Sequence, residues 1–387
     1  MKKRIIPLLL LFSLILITVL PSTPKIVFAD ELSENINEQL GNLDLSALEE
    51  FMNSLDSSNG DSVVFKMIYQ MLNGEYNTNH SSFWNYLIDI IFSHFNDLIP
   101  SMFAIIAISV FCALIQNAKS TFVQEGVSEI IFFVCFLTVF MLISGQVLTI
   151  WTNTKKTLEN IAKLNEIMSP IILTLMISSG GSVSAGIYKP STILFSNVVI
   201  NTMLYVVLPL TGLILIFGVV SLFSRNFKLN KFVEFFTGVV KWVIGISITF
   251  YGFFITIQGI SGSFYDGISM KAAKYAISNS IPMIGGFLKD GFDLFVAGSI
   301  LIKNSIGVAC VFALLIIVLY PIICIGVFTL LLKLVAAVTE TLSDSKISDL
   351  CTFVSKSMTY VNVSIIFTGV MMFISILLMI FSASAFI

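Results

Sequence analysis

Charge is what this 387-residue sequence has least of: 11% of its residues are Asp, Glu, Lys or Arg, against roughly 25% in a water-soluble domain. With 56% hydrophobic residues and a mean hydropathy of +0.96, the chain lacks the polar groups to cover its own surface in water, and it reads as a membrane protein. Only two histidines are present, His80 and His94, so neither an HExxH metal helix nor a Ser/His/Asp constellation can be assembled, and His94 reads as a solvated polar-face residue. The five cysteines, Cys112, Cys135, Cys310, Cys324 and Cys351, form no CxxC and lie in or beside apolar runs. They read as apolar packing rather than as disulfides or metal ligands.

A phosphate loop is also missing. Gly181 to Lys189 comes close, but Ile187 stands directly after Gly186, where a P-loop needs the lysine that converges with backbone amides on phosphate. The chain therefore has no motor of its own, and an energised process would need a partner's ATPase or an ion gradient. No basic patch of useful size argues for nucleic acid. No Asp, Glu or Arg sits in the middle of an apolar run, which weighs against a proton- or ion-coupled carrier. No cofactor is implied, and a non-enzymatic role is expected.

The charge that is present is unevenly placed. Asp30 to Asp97 carries twelve acids against Lys66 alone, near −11, whereas Leu98 to Ile387 is near +5. Ahead of the acidic stretch, residues 1–29 read as a signal peptide: Lys2, Lys3 and Arg4, an apolar Ile5 to Leu20, then Pro21, Pro24 and a small-residue cleavage site at Ala29. An uncleaved anchor is the alternative, and it leaves the same side outside. Residues 30–97 thus read as an acidic, extracytoplasmic, amphipathic-helical region. Leu40, Leu43, Leu45, Leu48, Phe51, Met52 and Leu55 recur at helical spacing, and short helices lying on the membrane or a partner are expected, with a loosely ordered linker as the alternative. Phe83 to Ile99 reads as a further amphipathic helix, with Trp84 and Tyr86 suited to an interface.

Residues 98–387 form a polytopic membrane domain. A spanning helix needs about 20 apolar residues, and six stretches qualify: Ser101 to Asn117, Ile130 to Trp151, Thr192 to Phe223, Val239 to Ile260, Ser305 to Leu332 and Tyr360 to Phe381. Ile167 to Ile177 and Ile281 to Leu288 are too short to span, each holds a proline, and they are expected to be re-entrant. The fold class is an all-α polytopic membrane protein with about six to eight transmembrane helices. Pro170 and Pro282 are separated by 112 positions, as are Pro209 and Pro321. The candidate repeats are 165–260 and 277–372, with internal duplication and coincidence both open. The Lys/Arg bias puts Arg225, Lys228, Lys231 and Lys241 in the cytoplasm; Lys155, Lys156 and Lys163 then fall outside and weakly oppose the scheme.

Gly238, Gly245, Gly252 and Gly259 recur every seven residues on one helix face. Packing within the chain is the expected role, with a subunit interface or pore lining as the alternative. Polar residues inside apolar runs include Lys303 and Asn304, and Lys303 is expected to snorkel to the interface. Gln258 to Asp293 mixes charges, aromatics and glycines between two spans, with Lys271 and Lys274 one turn apart and Tyr265, Asp266 and Tyr275 nearby. An interfacial helix followed by a re-entrant dip is the expected form there.

That stretch, ISGSFYDGISMKAAKYAI followed by IPMIGGFLKDGFD and SILIKNSIG, closely resembles the stage III sporulation protein AE family. The resemblance implies a multi-pass protein of the mother-cell membrane around the forespore. It also implies partners: other stage III sporulation membrane proteins, a separate ATPase subunit, and a forespore-membrane protein met across the intermembrane space. The complex would be a channel or feeding conduit for endospore formation. No catalytic residues are implied. Tyr265, Asp266, Lys271, Lys274, Tyr275, Lys303 and Asn304 are the candidate partner or pore-interface residues. A self-sufficient secondary transporter with half-helix repeats near Pro170 and Pro282 is the alternative, and an intramembrane enzyme a weaker third.

Overall fold

The computed structural model describes residues 46–59, 80–117, 125–223, 229–280, 285–341 and 345–381, and all regular structure among them is helical. The signal peptide, Pro282 and the cluster at Arg225 and Lys228 lie outside the described residues. In chain order the helices are α1 (Ser46–Asn59), α2 (His80–Asn117), α3 (Glu125–Ser178), α4 (Ser182–Thr202), α5 (Leu208–Phe223), α6 (Asn230–Ser280), α7 (Gly285–Thr341) and α8 (Ser345–Phe381). Helix is forced by the solvent: in hydrocarbon each backbone N–H and C=O must find its partner within its own segment. Hydroxyl groups obey the same rule locally, as Ser109, Thr154 and Thr368 donate to the carbonyls of Ile105, Ile150 and Ser364, 2.7 to 2.8 Å away.

Six helices are long and apolar enough to cross a membrane, through Phe95–Cys112, Ile130–Ser178, Ser196–Leu222, Asn230–Thr256, Lys289–Thr341 and Lys346–Phe381. They match the six expected spans one for one, and the protein is a multi-pass, all-α membrane protein. The short apolar segments differ from expectation. Ile167 to Ile177 is no re-entrant dip, because it is the C-terminal part of α3 and runs on unbroken through Pro170. Its Met168, Ile172 and Met176 are fully buried, so packing against neighbouring helices compensates for the proline. Residues 285–288 are likewise the first turn of α7. Phe83 to Ile99 is not a separate interfacial helix either, since α2 continues through Pro100 into the first span.

Prolines are absorbed in two ways. Pro321 is buried inside an intact α7. Pro209 follows a π-helical turn at Met203–Val207, in which the Leu208 N–H reaches back five residues to the Met203 carbonyl. The wider turn takes up the register that a residue without an N–H disrupts. Between α3 and α4 the chain reverses at Gly180, whose φ of 89° is open to glycine without strain. The N–H groups of Gly180 and Gly181 close the end of α3 on the carbonyls of Ile177 and Met176.

The α7–α8 antiparallel pair is the most extensive packing in the bundle, and α3 lies across both. Close approach is set by glycines: a Cβ at Gly307 would overlap Ile380, one at Gly369 would come within 2.8 Å of Val318, and one at Gly218 would overlap the Phe353 ring. Helix α1 buries Leu48, Phe51 and Met52 against the core and packs on α3, so this part of the acidic region lies on its own chain. Tyr251 on α6 ties that helix to α8, with its hydroxyl 2.6 Å from the Met371 carbonyl and 2.6 Å from Ser375 Oγ.

Gly218→Ala is expected to lower stability in detergent by about 1–3 kcal/mol through overpacking. Gly245→Ala, with nothing within 4 Å of the added methyl, should be neutral or stabilise by up to about 1 kcal/mol from helix propensity. Thermal unfolding of the two variants checks this, and the opposite ranking would contradict the packing.

Candidate functional site

The described residues of the stretch from Gln258 to Asp293 belong to two long helices that run antiparallel as a hairpin, and not to a separate interfacial helix. Helix α6 carries the span expected from Val239 to Ile260 and continues without a break to Ser280. Lys271 therefore stands roughly 16 Å beyond Ile260, the end of the expected span, at 1.5 Å per residue. Helix α7 returns antiparallel, and the two are clamped by an ion pair between Lys274 Nζ and Asp293 Oδ1 at 2.7 Å. Both partners are partly exposed, so the pair contributes a fraction of what a buried one would. Lys271 and Tyr275, four residues apart on one face, point outward, and Tyr275 is 73% exposed. Tyr265 and Asp266 lie on the same helix, upstream of this clamp. Gly259 also lies in this part of α6.

Lys303 lies elsewhere. It is ten residues past Asp293 on α7, roughly 15 Å along the axis, and the hairpin does not bring it to Lys271 or Tyr275. It does not snorkel as expected: its relative exposure is 0%, and it is one of the largest fully buried side chains in the protein. Snorkelling needs a path to the interface along the helix surface, and close packing around α7 removes it. Ser299, one turn earlier on the same face, is also fully buried. The neighbouring Asn304 carries a buried Oδ1 without a hydrogen-bond partner. An ionisable group held this way inside an apolar body marks a function more often than a packing role.

The glycine stripe of α6 requires a second correction. Gly238, Gly245 and Gly252 have nothing within 4 Å of an added Cβ, so they pack no helix of their own chain. They open onto the outer face, where Lys241, Trp242, Gly245, Ile246, Thr249, Phe250 and Phe253 line a shallow groove of about 620 Å³. Lys241 is held at one end, its Nζ 5.8 Å from the centre of the Tyr360 ring.

The family model for stage III sporulation protein AE matches residues 63–383. The chain belongs to this family. Stage III sporulation protein AE of Bacillus subtilis (strain 168) is 25% identical over 272 residues, covering 70% of this chain and 68% of that protein. No solved structure matches the chain. Family membership supports a role in sporulation, and the matched range takes in α2 to α8 completely, with every candidate residue named above.

Two sets of residues in this family member escape sequence reasoning. The glycines that truly set helix contacts, Gly212, Gly218, Gly307 and Gly369, show no regular spacing, whereas the regularly spaced ones face outward. The other set is the buried seam of α3 between Trp151 and Met168. Its signal was present in the 3.6-residue spacing of Leu158, Ile161, Leu164 and Met168, all fully buried.

Lys274→Ala and Asp293→Ala are each expected to destabilise by no more than about 1 kcal/mol, as for exposed ion pairs. The charge-reversed pair, Lys274→Asp with Asp293→Lys, should restore most of the loss. Thermal unfolding of the four proteins gives the coupling, and independent additive losses would show that the contact does not clamp the hairpin.

Proposed function

We propose that this protein is a non-enzymatic membrane subunit of the channel complex that joins mother cell and forespore during endospore formation. What supports the reading is the pairing of family membership with the shape of the α6–α7 hairpin. The hairpin carries Lys271 and Tyr275 outward on the part of α6 that follows the expected span Val239 to Ile260, which suits contact with another protein rather than with lipid. In the orientation set by the Lys/Arg bias, the hairpin and the acidic region face the intermembrane space of the mother-cell membrane around the forespore. Partners there would be other stage III sporulation membrane proteins and a forespore-membrane protein, with energy supplied by a separate ATPase subunit.

One observation favours a second reading. The fully buried Lys303 beside Asn304 resembles the intramembrane ionisable groups that mark substrate or ion paths, as a self-sufficient secondary transporter would require. Reconstitution separates the two. Uptake of a defined solute by the purified protein alone favours the transporter, and co-purification with partners without uptake favours the subunit.

Replacing Lys271 and Lys274 together by Ala is expected to cut heat-resistant spore yield at least about tenfold while protein level in the membrane is unchanged, a loss equivalent to removing an interface hot spot. Spore counts with membrane immunoblots check this, and wild-type yield would count against the hairpin as a partner surface.

A further inference from the structure

The two sides of α6 differ within its span. Val240, Ile244, Ser247 and Tyr251 recur at helical spacing and are buried in the bundle. The opposite side leaves Trp242, Ile246, Phe250 and Phe253 exposed, and with Lys241, Gly245 and Thr249 these line the shallow groove of about 620 Å³. From Lys241 to Phe253 the groove runs roughly 18 Å along the helix, against about 15 Å for half of a hydrocarbon core. It is one leaflet deep, and the charge in its lining, Lys241, stands at one end.

Two spans agree on where that end lies. The expected span of α6 begins at Val239 and that of α8 at Tyr360, and the contact of Lys241 Nζ with the Tyr360 ring brings the two starts to one level. Ten residues further along α6 and eleven along α8, the Tyr251 hydroxyl donates to the Met371 carbonyl, so the helices rise side by side in the same direction. Lys241 therefore stands at the membrane surface, on the cytoplasmic side by the Lys/Arg bias, with Trp242 beside it as in an interfacial aromatic belt. Lys356 adds a second cation at this end: it precedes Tyr360 by one turn on the same side of α8 and is exposed. Neither lysine has an ion pair among the described residues. The nearest acids on the two helices, Glu234 and Asp349, are each seven residues back, roughly 10 Å, and Glu234 is paired with Lys231 at 3.0 Å.

We propose that this groove binds a phospholipid with an anionic headgroup, the headgroup on Lys241 and Lys356 and an acyl chain along Trp242, Ile246, Phe250 and Phe253. The apolar lining takes an acyl chain of one leaflet, and two lysines without carboxylate partners favour a headgroup of net negative charge over a zwitterionic one. A second copy of this chain fits less well. A two-fold contact presents the same patch from both sides, which would set Lys241 against Lys241 at the same level. The inference goes beyond the subunit reading above and does not rest on it.

The test uses the purified full-length protein in phosphatidylcholine vesicles holding about one-fifth phosphatidylglycerol. Bromine atoms on the acyl chains of either the phosphatidylglycerol or an equal amount of the phosphatidylcholine serve as a contact quencher of indole fluorescence. The Trp242→Phe variant gives the background from the other two tryptophans, and the difference from native protein is the signal of Trp242. That signal should be quenched at least about threefold more strongly by the brominated phosphatidylglycerol. Replacing Lys241 and Lys356 together by Gln should make the two lipids quench equally, whereas Lys241→Arg, which keeps the charge, should retain the preference. Equal quenching of the native protein by both lipids would overturn the proposal, as would a full preference surviving in the double Gln variant. Absence of quenching by either lipid would also overturn it, by showing the groove covered by protein, as in a second copy. These readouts come from the protein alone, so they stand apart from the spore yield that tests the subunit reading.

Discussion

Close backbone approach between α7 and α8 is the contact on which the rest of the bundle depends. In lipid no hydrophobic force drives two apolar helices together, so association rests on van der Waals fit and a few hydrogen bonds. Gly307 and Gly369 supply the fit by leaving room for Ile380 and Val318. The pair presents a surface on which α3 can settle, and α3 in turn carries α1 and α4, while α5 packs on α6 and α8. Register is thereby fixed along the whole length: the ties at Trp151, Asn165, Tyr251 and Tyr360 each set the depth of one helix against another.

The same physics separates the two kinds of outward surface. On α6 the outer side is aromatic and aliphatic, with Trp242, Phe250 and Phe253 well exposed, as hydrocarbon demands. On α3, between Lys155 and Glu166, it is charged.

The sequence was legible wherever the signal was local. Six apolar runs announced six spans, because the length needed to cross hydrocarbon is a property of one segment. The helical spacing of Leu48, Phe51 and Met52 similarly announced α1, all three being buried. Reading failed where the answer depended on a neighbour. Ile167 to Ile177 looked too short to span when its apolar length was taken alone; the apolar seam through Leu158, Ile161 and Leu164 joins it to the preceding span in one helix. The evenly spaced glycines of α6 had the right pattern for packing but no partner helix within the chain. Lys303 could be placed on an apolar helix from sequence, but whether it reached the interface was decided by residues far away in the chain. The matched family range says which chains share this plan, and the contacts above give the plan its physical content.

Helix α7, at 57 residues, is about 85 Å long, roughly twice the thickness of a bilayer with its headgroups. A rod of that length anchored near its middle acts as a lever. A tilt of about 10° swings one end by roughly 15 Å relative to the other at this rise per residue. The clamp between Lys274 and Asp293 sits near one end of the rod, so a displacement of the hairpin would be carried to the other end at about equal size.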